Sequence, residues 1–323
     1  PVNARKAVEM LMRYARAMLF ICVATAVASP AMAEREHEFG MALLKKFGFS
    51  DLAEKYFNKL KDDSDKERRL SGILGLADLK KGEAVALGRK NDNAGAQKAY
   101  GESLKLYEEF IRQGRNHPEM STALAGISEI KKKRAVALKK AAESEKDADK
   151  KKKLMREAVK IFESLSEPLK AEATKARKRY DREREKRGER DKRSPAESKA
   201  LETAVLSMQR YYMTLMDQAA MYEKDSDARK RFMEETLEGL NQELEFYDAM
   251  EDMHGVVLWL YYTLGRSYAL AGKYKEACEK GFDEIIAENP SGYPAAAKAF
   301  VDNLRMFSFY MKAQAALDAK KYE

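Results

Sequence analysis

The sequence predicts an all-α protein assembled from antiparallel helix pairs, and three observations carry that prediction. Apolar residues recur three or four apart through most of the 323 residues. Only seven prolines interrupt the chain, while Ala, Leu, Lys and Glu abound, the composition of a helical protein. No run of alternating β-branched residues offers a strand. With 45% hydrophobic residues the chain has ample side chain for a core, which excludes disorder as a description of the whole. The net charge of +8 is the balance of 61 basic and 53 acidic residues. That describes a solvated mixed surface more than a field focused on a polyanion, so nucleic acid is not an expected partner.

The first element is MLMRYARAMLFICVATAVASPAMAERE, residues 10–36. Arg13 and Arg16 precede an apolar run from Ala17 to Ala28, Ser29-Pro30 breaks it, and Ala31 and Ala33 supply small residues at the −3 and −1 positions. This is the layout of a secretory signal peptide, 1–33, cleaved after Ala33. The apolar run, about 12 residues, falls short of the roughly 20 that span a bilayer, which places an uncleaved membrane anchor second. Cys22 follows the bulky Phe20-Ile21, where a lipoprotein signal needs small residues. The expected product is therefore periplasmic or otherwise secreted, with Cys278 as its one thiol and no internal disulfide. An opening Pro1 and a closing ALDAKKYE, turn-like just where a helix should begin, lead us to expect a fragment of a longer chain.

HEFGMALLKKFGFSDLAEKYFNKL, 37–60, divides at Gly48 into two short amphipathic helices, with Ser50 or Asp51 placed to cap the second. Residues 66–88 form the next helix, Asn91-Asp92-Asn93 a turn, and 94–114 its partner, ended by Asn116-His117-Pro118. A further pair occupies 119–143 and roughly 147–166, closed by Glu167-Pro168. Helices of this length joined by short polar turns are antiparallel neighbours, so 34–168 reads as an N-terminal helical-repeat region.

From 169 to 196 the composition shifts. KAEATKARKRYDREREKRGERDKR, 170–193, holds 12 Lys/Arg and 6 Asp/Glu around a single large apolar residue, Tyr180. So few apolar positions predict a solvated helix or linker instead of a packed element, held by Glu/Arg pairs three or four apart. The competing expectation is a basic arm for an anionic envelope polymer or lipid. After Ser194-Pro195 the helical period returns in a C-terminal region, 197–323. Leu201, Val205, Met208, Tyr212, Leu215 and Ala219 form one stripe, and Phe232, Leu237, Leu240, Leu244 and Tyr247 the next.

VVLWLYYTLGRSYALAG, 256–272, is apolar nearly all round, as suits a helix with neighbours on several sides. Gly265 lets a second helix approach, Gly272 ends the helix, Tyr274 begins a partner with Ala277 as its small contact residue, and ENPSG at 288–292 breaks the chain. In Tyr261, Leu264-Gly265, Tyr268, Ala277 and Pro290 this stretch resembles the tetratricopeptide repeat. Phe282 falls five positions after Ala277 where the family has four, and Pro290 is one position late, so the second helix is expected to be shifted or locally irregular. Gly40 with Ala53 and Tyr56, and Leu74-Gly75, echo the motif at altered spacing. The resemblance implies an α-α superhelix, a solenoid whose inner surface holds a protein or peptide partner.

Residues suited to chemistry are scattered. His37, His117 and His254 lie far apart with no second metal ligand at HxxxH or CxxC spacing. Lys275 and Lys280 flank Cys278 and could activate it, yet no His stands near as a base. Neither a glycine-rich phosphate loop nor a GxSxG elbow occurs. No catalytic residue, cofactor or metal is therefore expected. The expected function is a non-catalytic, exported scaffold for protein interaction; the alternative is a tethering protein that uses 170–193.

Overall fold

The computed structural model describes residues 32–115, 117, 119–187, 193–248, 255–292 and 295–320. All regular structure among the described residues is helical. Ala31, with the predicted signal core, lies outside them; Ala33 falls in the first turn of α1, Met32–Lys45. The chain forms two compact units, one ending at His117 and one beginning at Pro118.

The first unit continues with α2 (Ser50–Lys61), α3 (Lys66–Arg89) and α4 (Asn93–Gln113). Gly48, at φ +68°, makes the turn between α1 and α2. The expected Ser50 or Asp51 cap does not form: Phe49 holds the cap position without a side-chain bond, and the Ser50 hydroxyl donates to Asp51 at 3.3 Å. Phe49 packs against the core instead, so burial fixes the entry of α2. Asp65 and Asp92 do cap α3 and α4, accepting from the backbone N–H groups of Arg68 and Gly95. Phe57 is fully buried where α1, α2 and α3 meet, and a β-carbon at Gly40 or Gly75 would overlap its ring. The glycines of the two weak motif echoes thus serve one ring.

The second unit contains α5 (Met120–Ser144), α6 (Ala148–Arg187), α7 (Pro195–Ala219) and α8 (Asp227–Asp248). A 3-10 turn, Gly255–Val257, leads into α9 (Leu258–Leu270). Its partner is one rod in three pieces: α10 (Tyr274–Ala277), a π turn (Cys278–Phe282) and α11 (Asp283–Ala287). A second 3-10 turn, Pro290–Gly292, precedes α12 (Ala295–Lys320). Consecutive helices pack on each other, and α5 also touches α7, α7 touches α9, and α9 touches α12. Helices two elements apart in the chain are therefore neighbours as well. All six members of the α7 stripe are buried, as are Leu237, Leu240, Leu244 and Tyr247 on α8; Phe232 is half-buried.

The charged segment departs from expectation. No helix end falls at Glu167-Pro168; α6 runs through Pro168 to Arg187. Pro168 forfeits one backbone hydrogen bond, and burial of Leu165 and Leu169 on either side offsets the loss. Beyond it Ala173, Ala176 and Tyr180 are buried at spacings of three and four, and α6 lies along α7. Alanine permits close approach, so this narrow stripe packs a helix whose other faces are almost wholly charged.

Candidate functional site

The π turn determines how the motif residues are arranged. Leu264, Gly265 and Tyr268 are buried on α9, Tyr261 is half-buried, Ala277 is fully buried, and Pro290 opens a 3-10 turn. The closest approach to Gly265 comes from Phe282 and Gly281. A β-carbon at Gly265 would come within 2.7 Å of the Phe282 ring, and one at Gly281 would collide with the Gly265 backbone. A π turn accommodates one residue more than an α-helix in the same span. The extra residue noted between Ala277 and Phe282 is absorbed there, and the close contact passes to Gly281 and Phe282.

The packed pairs leave a groove of about 290 Å³ on the second unit. Met216 and Asp217 of α7, with Ala220 just past its end, form one wall, Arg266, Ala269 and Leu270 of α9 the floor, and Met311, Gln314 and Ala315 of α12 the other wall. Three helices thus converge on one concavity, which Tyr274 and Asp318 also line. Helix ends beside it are secured by long cations: Lys139 donates to the Ala220 carbonyl at 2.8 Å and Arg229 to the Leu270 carbonyl at 3.1 Å. The lining is mixed: Ala269 and Leu270 are apolar, Arg266 brings a positive charge to the same helix, and Asp217 and Asp318 bring negative ones.

The charges around the groove span four helices. Asp217 pairs with Lys132 of α5 at 2.9 Å. Burial pushes the Lys132 ammonium below its ordinary range, and Arg210 and Arg266 push the same way, while Asp217 opposes them. Arg210 donates to the Ser121 carbonyl at 3.2 Å; burial lowers it too, against the pull of Glu172. Arg266 stands 5.9 Å from the Tyr262 ring centroid. Lys132, Arg210 and Arg266 thus interact with the carboxylates Asp217 and Glu172, and of these Asp217 and Arg266 line the groove.

On the second candidate surface, part of the basic character of 170–193 is used internally. The Arg177 guanidinium lies 3.3 Å from the Phe246 ring centroid and pairs with Glu243 at 2.5 Å. Arg187 faces the fully buried Glu197 at 3.5 Å. Lys178, Arg179 and Arg182 remain exposed.

His37 and His117 lie beside carboxylates, and Cys278 is half-buried. His37 lies 3.2 Å from Asp78, which also accepts the Tyr107 hydroxyl. Burial favours a protonated Asp78, but the bonds from His37 and Tyr107 and the charge of Lys81 outweigh it, holding the carboxyl below the usual range. His117 is 3.2 Å from Glu67 and meets the Phe110 ring edge-on; His254 lies outside the described residues. Burial pushes the Cys278 thiol up, with Lys312, not Lys275 or Lys280, as the opposing cation. Among the described residues no three potential metal ligands converge.

Sequence reasoning overlooked Gly281, Asp78 and the groove residues. Phe57, four after Ala53, was the aromatic that completed the Gly40 echo. Asp217 is one of several charges on α7, and Arg266, the one charge on α9, faces partners far away in the sequence, so neither gave a signal. No family model and no curated protein sequence matches the chain.

Proposed function

We propose that this chain is an exported, tetratricopeptide-like scaffold whose groove across α7, α9 and α12 holds a segment of a partner protein. The carrying observation is that α7, α9 and α12 line one concavity that mixes apolar side chains with the charges of Asp217, Arg266 and Asp318. In a stack of helix pairs the first helices form the inner surface, where an extended segment touches several pairs at once. Arg266 favours an acidic residue in that segment, and Ala269 and Leu270 an apolar side chain beside it. The protein acts in this reading by binding, not by catalysis, in the periplasm or outside the cell.

The test is capture from the envelope fraction, with the bound proteins identified for the parent chain and for Ala269→Trp, which fills the floor. Ala269 is half-buried at the groove, so the bulky ring is expected to occupy the concavity and reduce capture about tenfold or more, with the circular-dichroism spectrum unchanged. Equal capture by both chains would overturn the reading. The tethering alternative draws on the exposed Lys178, Arg179 and Arg182. Changing these three to Gln leaves partner capture intact under our reading and abolishes salt-sensitive retention on an anionic polymer under the other.

A further inference from the structure

α12 carries two apolar stripes, and one of them is covered. Val301, Leu304, Ser308 and Ala315 are buried against the preceding elements. Met306, Phe309, Tyr310 and Leu317, at spacings of three, one and seven, form a second stripe, and they are 59%, 54%, 66% and 58% exposed. Phe307 beside them is 51% exposed. Large apolar residues rarely gather bare on one helix face without an occupant.

The sequence shows what that occupant resembles. MFSFYMKA at 306–313 repeats LWLYYTLG at 258–265, with the aromatics of α9 at Trp259, Tyr261 and Tyr262 returning on α12 as Phe307, Phe309 and Tyr310. The small residue recurs too: Ala313 stands where α9 has Gly265. In the same register Lys321-Tyr322 matches Lys273-Tyr274, where the partner helix of α9 begins. On α9 this face is occupied. Gly281 and Phe282 lie against Gly265, Tyr262 is 6.3 Å from the Phe282 ring, and Ile285 shares a buried cluster with Leu258.

We propose that the bare stripe of α12 is the seat for the second helix of a further repeat, supplied in cis after Tyr322 and presenting the small, aromatic and aliphatic face of 281–285. The register between the two segments and the bare stripe carry this; the position of Glu323 plays no part. It rests on the repeat part of the function proposed above and not on partner capture.

The test compares the 323-residue chain with one in which KEACEKGFDEIIAE, the sequence of 275–288, replaces Glu323 after Tyr322. The extended chain is expected to stay monomeric, gain helical signal, unfold at higher temperature, and bind about half as much or less of a dye that reports exposed apolar surface. An Asp in place of the Phe of the added segment should cancel those gains. An added segment that leaves helicity and dye binding unchanged would overturn the proposal. So would association of the 323-residue chain through the stripe, seen as a sedimenting dimer that Phe309→Asp dissolves, because a second copy would then be the occupant. Failure of the Ala269→Trp capture test leaves these outcomes unaffected, so the two proposals fail separately.

Discussion

Gly281 and Gly101 are both helical glycines, yet opposite effects are expected on replacing them with alanine. At Gly281 the new methyl would strike the Gly265 backbone, which cannot rotate aside. Gly281→Ala is therefore expected to cost about 1–3 kcal/mol, lowering the unfolding midpoint of its unit by about 2–4 °C per kcal/mol. A β-carbon at Gly101 meets nothing within 4 Å, and there the helix propensity of alanine should add up to about 1 kcal/mol. Thermal unfolding followed by circular dichroism checks both signs. Asp78 gives a pH-dependent case. Its folded-state pKa lies below the unfolded one, so its contribution is complete above about pH 4 and lost as pH falls through the folded value. Asp78→Asn is expected to cost about 1–3 kcal/mol at neutral pH and to flatten the acid limb of the stability profile, measured by denaturant titration at several pH values. None of this could be read from the sequence, where Asp78 is one acid among 53 Asp and Glu. Its partners lie 41 and 29 residues away.

At the scale of elements, the irregular partner of α9 has a specific consequence. If the π turn holds one inserted residue, removing an exposed residue from it should let Cys278–Phe282 close into an α-helix while Phe282 keeps its place against Gly265. Deleting Lys280, which is exposed, is expected to shift the midpoint by only a few degrees. Deleting Arg266 from α9 removes the same length and rotates the buried Ser267 and Tyr268 out of register, so cooperative unfolding should be lost. The sequence located this irregularity because Phe282 stood one place too far from Ala277. It misjudged α6 for an equally physical reason. A count of large apolar residues detects broad stripes, whereas Ala173 and Ala176 bury little area and act by letting α7 come close.

For the whole molecule, every contact described lies within one of the two units. The unit from Pro118 onward, expressed alone, is expected to be helical and to unfold in one cooperative transition, checked by circular dichroism with denaturant. A broad, uncooperative melt would mean that the division after His117 is not a folding boundary. If the groove is the binding surface, this unit alone should also retain the captured partner. Helical content, most helix limits and the turns at Gly48, Asn91 and Gly272 were determined by the sequence itself, because local periodicity and turn chemistry act within a few residues. Tertiary structure decided the neighbour of Gly265, the packing of the charged stretch of α6 and the convergence of Asp217 and Arg266 on one groove. Those outcomes depend on which surfaces meet across many residues of chain, and a small or charged side chain shows its role only once a partner stands opposite it.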